Sequence, residues 1–189
     1  MAKKLSRREF IKATVVAGGA AAVLPQTLFS SNNKKKVRIG FIGTGLRGQW
    51  MLWLATKYPN VEIPAICDID EGMIQKALEI LKKGGRPEPR VYKKDDHDFQ
   101  RMLNSEDLEG VYIGTPWEWH HPMSIAAMKT GAHVGVEVPA AISVSQCWDL
   151  VNVSEKTNKF CMIMENVCYR RDIMAVLNMV RENIFGELL

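Results

Sequence analysis

Groups that cross-link chains or bind metals are scarce in this 189-residue sequence. It holds four cysteines and four histidines, and neither C-x-x-C nor H-x-x-x-H occurs among them. The spacings that build zinc sites are therefore missing. His120 and His121 are neighbours in sequence and would rarely point at one ion, so no metal is expected. Cys161 and Cys168 lie seven apart in one extended stretch and would face opposite ways; a Cys147–Cys161 bond is the one pairing left open. No apolar run reaches the about 20 residues that a membrane span needs. The longest, residues 13–24, is weakly apolar and is closed by Pro25. A basic face is absent as well. The formal net charge is +4, but residues 1–36 carry eight Lys/Arg and one Glu, while residues 37–189 carry 17 Lys/Arg against 20 Asp/Glu. The part able to fold is thus mildly acidic, so neither nucleic acid nor a stable membrane anchor is an expected partner.

The basic excess has its own pattern. Ser6-Arg7-Arg8-Glu9-Phe10-Ile11-Lys12, followed by the weakly apolar run, looks like a twin-arginine export signal. That route carries folded proteins to the periplasm. Ala20-Ala21-Ala22 offers small residues for cleavage, and no cysteine precedes Cys67 to make a lipoprotein anchor. Residues 1–30 are read as the signal segment and 31–36 as a polar linker.

What the chain does have is a glycine turn in a telling context. Val37-Arg38-Ile39-Gly40-Phe41-Ile42 reads as a buried strand, and Gly43-Thr44-Gly45-Leu46-Arg47-Gly48 follows as G-x-G-x-x-G ahead of a helix-compatible stretch, 46–57. In such a turn Gly43 allows the tight bend, Gly45 lets backbone approach a pyrophosphate, and Gly48 lets helix and strand pack closely. The helix start presents free N–H groups and a positive dipole end to phosphate. A second strand, 61–67, ends at Asp68, about 20 residues past the last glycine. There a carboxylate accepts from ribose hydroxyls and repels a 2′-phosphate, which favours NAD. The plainer alternatives for Asp68 are a capping or a solvated acid. Asp70 is better used as a helix cap.

Strand and helix then alternate. Asp70 precedes a helix with Ile74, Ala77, Leu78 and Leu81 on one face, ended by Gly84-Gly85. A short strand at 90–93 and a short helix at 98–104 follow. Strands are expected at 110–116, 133–138 and 160–167, with Pro122 opening a helix over 122–129. Ser143 and Gln146 have capping-box spacing ahead of a helix with Val144, Cys147, Trp148 and Val151 on one side. Asp172 is expected to cap a last helix striped by Ile173, Val176, Leu177, Val180 and Ile184, which Gly186 ends. Six alternating strands predict an α/β doubly wound parallel sheet, Rossmann-like, over residues 37–168. Residues 169–189 are read as a connecting helix and the start of a second domain. Ligands in such sheets bind beyond the strand C-termini.

Polar clusters fall at those ends. Trp117-Glu118-Trp119-His120-His121 could wall an apolar slot for a nicotinamide or sugar ring, or be a packed loop. Glu137 could hold a ribose or an ordered water, or be structural. Asn166 could donate to and accept from a carboxamide, and Tyr169 could transfer a proton if its pKa were lowered.

With Thr115-Pro116-Trp117-Glu118-Trp119-His120 and Glu137-Val138-Pro139 beside the glycine turn and Asp68, the chain resembles the Gfo/Idh/MocA superfamily of NAD(P)-dependent enzymes. Within it, Glu137-Val138-Pro139-Ala140-Ala141 and Glu165-Asn166-Val167-Cys168-Tyr169 look like glycoside hydrolase family 109, whose members are α-N-acetylgalactosaminidases that keep NAD bound. The resemblance implies NAD contacts at Leu46, Arg47, Asp68, Trp117, Glu118, Trp119, His120, Glu137, Val138 and Asn166. It implies a small glycoside as substrate and chemistry unlike the usual carboxylate pair. NAD⁺ oxidises the sugar C3 hydroxyl, the acidified C2 proton leaves, the C1 group is eliminated, water adds and the hydride returns. Dehydrogenases of the superfamily commonly carry Lys where this chain has Val138, which favours the glycosidase branch. Family members continue beyond the equivalent of Gly186-Glu187-Leu188 into a β-sheet domain that covers the nicotinamide. The chain is therefore expected to be the N-terminal part of such an enzyme, a truncated form, with any homo-oligomer built through the further domain. A sugar dehydrogenase and a non-catalytic NAD-binding fragment are the alternatives.

Overall fold

The computed structural model describes residues 36–187. The expected signal segment and nearly all of the linker lie outside these residues. Seven strands and six α-helices follow one another: β1 Val37–Ile42, α1 Leu46–Ala55, β2 Val61–Glu62, β3 Ala65–Cys67, α2 Glu71–Lys83, β4 Arg90–Tyr92, α3 Asp98–Ser105, β5 Gly110–Ile113, α4 Trp117–Lys129, β6 His133–Val136, α5 Val144–Thr157, β7 Cys161–Ile163 and, after a 3₁₀ turn at Val167–Tyr169, α6 Arg171–Arg181. Every strand pairing is parallel, in the order β4-β3-β1-β5-β6-β7, with β2 also paired to β1. The order reverses direction at β1, which places a crevice between the C-terminal ends of β1 and β5.

Strand alternation makes two cores, one on each face of the sheet. Ile42, Cys67, Val111, Ile113, Val134 and Val136 pack toward α3, α4 and α5 with Phe99, Met102, Met123, Met128 and Leu150. Phe41, Ile66 and Tyr112 point the other way, against Leu52 of α1 and Ile74, Ala77 and Leu81 of α2. This two-sided burial is why the strands read as continuous apolar runs.

Several boundaries differ from expectation, each for a local reason. The stretch 61–67 is two short strands, because Pro64 has no N–H to give the ladder. Its carbonyl instead accepts from the Arg90 N–H at 2.8 Å. The fourth strand in the expected series ends at Ile113. The last strand ends at Ile163, and Asn166 and Tyr169 fall in the turn beyond it. α4 starts at Trp117, so Pro122 lies inside the helix rather than at its start, and the expected Trp-rich loop is its first turns. Proline there removes one backbone bond, and the turn before it is fastened by His120, whose ring contacts backbone carbonyls on both sides. Asp172 does not cap α6: Arg170 occupies the cap position, and the Asp172 carboxylate pairs with its guanidinium at 2.7 Å. α6 ends at Arg181, and the chain turns at Asn183 with φ 57° before reaching Gly186.

Two caps match the sequence reading. Asp70 Oδ1 accepts from the Met73 N–H at 3.0 Å. Ser143 Oγ accepts from the Gln146 N–H at 3.3 Å, while Gln146 Oε1 accepts from the Ile142 N–H, one residue earlier than a standard capping box. The expected apolar side of α5 is outward: Val144, Trp148 and Val151 are exposed, and Leu150 is the helix's buried residue. The stripe on α6 is likewise exposed along its length. Beside α1, the sheet face over β5, β6 and β7 is an open apolar groove of about 660 Å³, floored in part by Phe160, Met162 and Met164. All four cysteines are free, including Cys147 and Cys161.

One buried charge ties β4 to α3. Asp98 is 4% exposed and accepts from Arg101 Nε at 2.6 Å and from the Lys94 N–H at 2.9 Å. The Arg101 hydrogen bond is the main reason its carboxyl falls from 3.8 to about 2, against the opposing effect of burial. A carboxyl depressed in the folded state stabilises the fold fully above about pH 4, and that contribution disappears as pH drops through about 2. Asp98→Asn is therefore expected to cost about 2 kcal/mol at pH 7 and almost nothing near pH 2, read by denaturant titration across that range.

Candidate functional site

The residues that follow four strands are still held in the sheet ladder. Gly43 N donates to Cys67 O at 2.8 Å, Asp68 N to Tyr92 O at 3.1 Å, Gly114 N to Ile42 O at 2.8 Å and Glu137 N to Ile113 O at 2.9 Å. Four loops therefore begin as one rigid row. A cavity of about 290 Å³ opens above them, bordered by Gly43, Gly45, Asp68, Ile69, Met73, Asp95, Asp96, Thr115, Pro116 and Trp119.

The glycine turn is shaped by contact rather than by flexibility alone. Gly43 sits at φ +87°, and a Cβ there would lie 2.6 Å from Gly114 O. A Cβ on Gly48 would collide with Gly43 O. These two glycines let α1 lie directly against the ends of β1 and β5. Gly45 is different: an added Cβ would meet nothing within 4 Å. Its surroundings are open on the cavity side, as close backbone approach to a diphosphate requires. α1 has no side-chain cap and no acidic residue in its first turn, so its leading N–H groups and dipole are available to an anion. The residues present fit the diphosphate of a dinucleotide.

Asp68 borders the cavity but is not a free acid. Its Oδ2 accepts from Thr44 N at 2.5 Å and Thr44 Oγ1 at 2.9 Å, and its Oδ1 accepts from Asp70 N at 3.0 Å. The side chain of Gln49 donates to Thr44 O at 2.9 Å, which fastens the same turn from the helix side.

A second cluster joins α1 to β5 and β6. Arg47 Nε donates to Glu137 Oε1 at 2.8 Å, and the Tyr112 hydroxyl donates to the same oxygen at 3.1 Å. The guanidinium also lies 5.0 Å over the Trp50 ring. Tyr112 is buried. Burial first, and the Glu137 carboxylate second, push its phenol well above the ordinary tyrosine value. Gly114 makes room for this hydroxyl, since a Cβ there would lie 2.8 Å from it. Tyr112 is not among the residues expected from sequence. Its signal is present all the same: a tyrosine inside an otherwise apolar buried strand needs a partner for its hydroxyl.

The aromatic-histidine cluster divides by helical geometry. Trp119 faces inward, edge-on to His97 and Phe99 at 5.4 and 6.2 Å, and borders the cavity. His120 is buried, with Nδ1 2.7 Å from Pro139 O and Nε2 2.8 Å from Thr115 O. It ties the loop after β6 to the loop after β5. Trp117 and Glu118 are exposed on the first turn of α4. Leu46 and Val138 are also exposed. Asn166 and Tyr169 are exposed and do not border the cavity. Cys67 borders the cavity, yet burial pushes its thiol up to about 12, so it acts as packing rather than as a nucleophile.

Replacing Glu137 tests the second cluster. Glu137→Gln is expected to lower the Tyr112 ionisation toward, but not below, the ordinary tyrosine value, because burial, its larger cause, persists. Ultraviolet absorbance of the phenolate against pH reads this directly, with Tyr112→Phe identifying the signal.

The comparisons with known proteins agree with this geometry. Residues 37–165 match a family described as the oxidoreductase family with an NAD-binding Rossmann fold, Gfo/Idh/MocA. A glycosyl hydrolase family 109 protein of Parabacteroides distasonis is 48% identical over 97% of this chain and 43% of its own length. An alpha-N-acetylgalactosaminidase of Tannerella forsythia is 47% identical over 97% of this chain and, again, 43% of its own length. The chain thus spans less than half the length of these relatives. A solved structure of scyllo-inositol dehydrogenase from Lactobacillus casei, with bound NAD(H) and scyllo-inositol, superposes with TM-score 0.69 at 19% identity, covering 81% of this chain and 43% of that one. The match over most of the folded residues, on the strand order and glycine turn described above, makes this chain a member of the Gfo/Idh/MocA oxidoreductase family, with that family's NAD-binding Rossmann fold.

Proposed function

We propose that the chain is the nucleotide-binding part of an NAD-dependent glycosidase of family 109, acting on α-N-acetylgalactosaminides. The observation that carries the reading is the uncapped start of α1, which opens beside Gly45 onto a cavity bounded by Asp68. The names of the relatives supply the sugar class. When bound, NAD would supply reversible hydride transfer at the sugar C3 position.

In this reading the chain's own residues take the following roles. The N–H groups at Leu46 and Arg47 would hold the diphosphate, with Gly43 and Gly48 fixing the turn that carries them. Asp68 would accept from the adenosine ribose. Trp119 walls the cavity, with Trp117 and Glu118 on the same turn of α4. Glu137, held by Arg47 and Tyr112, would contact the nicotinamide half together with Val138. His120 fastens the two loops between which that half would lie. Asn166 would contact the carboxamide, and Tyr169 would serve as a proton-transfer group. In this reading the longer span of the relatives covers the α5 and α6 stripes, completes the substrate pocket and carries any homo-oligomer contact. Residues 1–30 direct twin-arginine export to the periplasm.

A sugar dehydrogenase is the second reading, favoured by the fold of the inositol dehydrogenase and opposed by Val138 in the position where lysine is usual. Two measurements separate the possibilities. Purified chain is expected to hold NAD and to gain about 2.7 kcal/mol of stability at a hundredfold excess over Kd. Asp68→Ala is expected to weaken binding by about tenfold or more. Wild-type chain that neither carries NAD nor gains heat resistance from it overturns the reading. In the longer protein, release of an aryl α-N-acetylgalactosaminide without net NADH supports the glycosidase, and accumulating NADH supports the dehydrogenase. NAD binding by the present chain without turnover is expected if the pocket needs the further span.

A further inference from the structure

The Asp68 carboxylate has four acceptor positions, and three are already taken within the chain. Thr44 supplies two of the three donors, one from its backbone at 2.5 Å and one from its hydroxyl at 2.9 Å, both to Oδ2. The Asp70 N–H takes a position on Oδ1 at 3.0 Å. One position on Oδ1 is left for a ligand. Thr44 is fully buried and is not part of the cavity border, and its hydroxyl donates to Asp68, so the hydroxyl acts on a ligand through that carboxylate.

We infer that Thr44 is a positioning residue that sets the preference of this site between a free ribose 2′-hydroxyl and a 2′-phosphate. The inference rests on the nucleotide-binding reading of the crevice. A carboxylate free to turn can swing away from a phosphate and lessen the repulsion. Asp68 cannot do so while Thr44 holds Oδ2 from two atoms of the same residue. The charge is therefore kept at the cavity border, where a ribose hydroxyl can donate to the remaining position and a phosphate dianion meets a fixed negative charge. Asp95 and Asp96 border the same cavity and add to the repulsion. The first variable position of the glycine motif, usually taken as a spacer, thus acts on specificity from beneath the site.

The variant Thr44→Val keeps shape and volume but loses the hydroxyl. In the full chain, dissociation constants for NAD⁺ and NADP⁺ measured by titration calorimetry give a preference ratio for each variant. Thr44→Val is expected to reduce that ratio by about tenfold, one charge-assisted hydrogen bond's worth, with Thr44→Ser holding it within about twofold of wild type. A merely structural threonine would weaken both nucleotides alike and leave the ratio unmoved, and that result overturns the inference. Should Thr44→Val not fold, Thr44→Ala takes its place, and failure of both hydroxyl-free variants to fold also overturns it. Wild-type chain that binds neither nucleotide removes the cofactor reading itself, whereas wild-type preference unchanged in Thr44→Val removes only the role of Thr44.

Discussion

The site depends on one steric constraint: the start of α1 must lie against the backbone where β1 ends. Gly48 allows it, because the first carbon of any side chain there would run into the carbonyl of Gly43. Gly43 allows the matching approach on the other side, toward the carbonyl of Gly114. With these contacts made, the positive end of α1 is aimed along the crevice between β1 and β5, and its distance from the loops after β3 and β6 is set by the sheet ladder. The uncapped, outward-opening start of α1 is thus a consequence of packing. It needs no basic side chain, in keeping with a fold that is mildly acidic.

Two polar clusters convert that packing into a shaped site. On the β3 side, Asp68 and Thr44 lock the turn to the sheet. On the β6 side, Glu137 gathers Arg47 from α1 and Tyr112 from β5. Each cluster joins α1 to a different strand end, so the helix start is held from both flanks. His120 does the same one layer over, between the loops after β5 and β6. Half-buried polar groups tied to one another in this way stiffen the framework, and a stiff framework loses little freedom on taking up a ligand.

The rest of the surface is less complete. α6 presents an apolar stripe to solvent, α5 exposes Val144, Trp148 and Val151, and the sheet beside α1 has an open apolar groove. Apolar area of this extent is uncommon on a self-sufficient monomer. The cavity beside the glycine turn is formed among the described residues, while Asn166 and Tyr169 are exposed and stand apart from it.

Sequence alone determined the strand-helix alternation, the glycine turn, the caps at Asp70 and Ser143 and the acid after β3, because each rests on interactions within a few residues or on a periodicity of 2 or 3.6. It misleads where a distant partner decides. Pro122 reads as a helix start, yet α4 begins a turn earlier, fastened by a carbonyl from the loop after β6. Asp172 reads as a cap, and there the deciding partner is local: its carboxylate pairs with Arg170 two positions back. For Asp68 and Glu137 the sequence is silent on their internal partners, which lie 24, 25 or 90 positions away. Tyr112 gives only a strand residue's pattern. Tertiary structure alone decided which polar atoms are spent inside the chain and which remain for a ligand, since hydrogen bonds are short and directional and their partners here were brought together by the order of strands in the sheet.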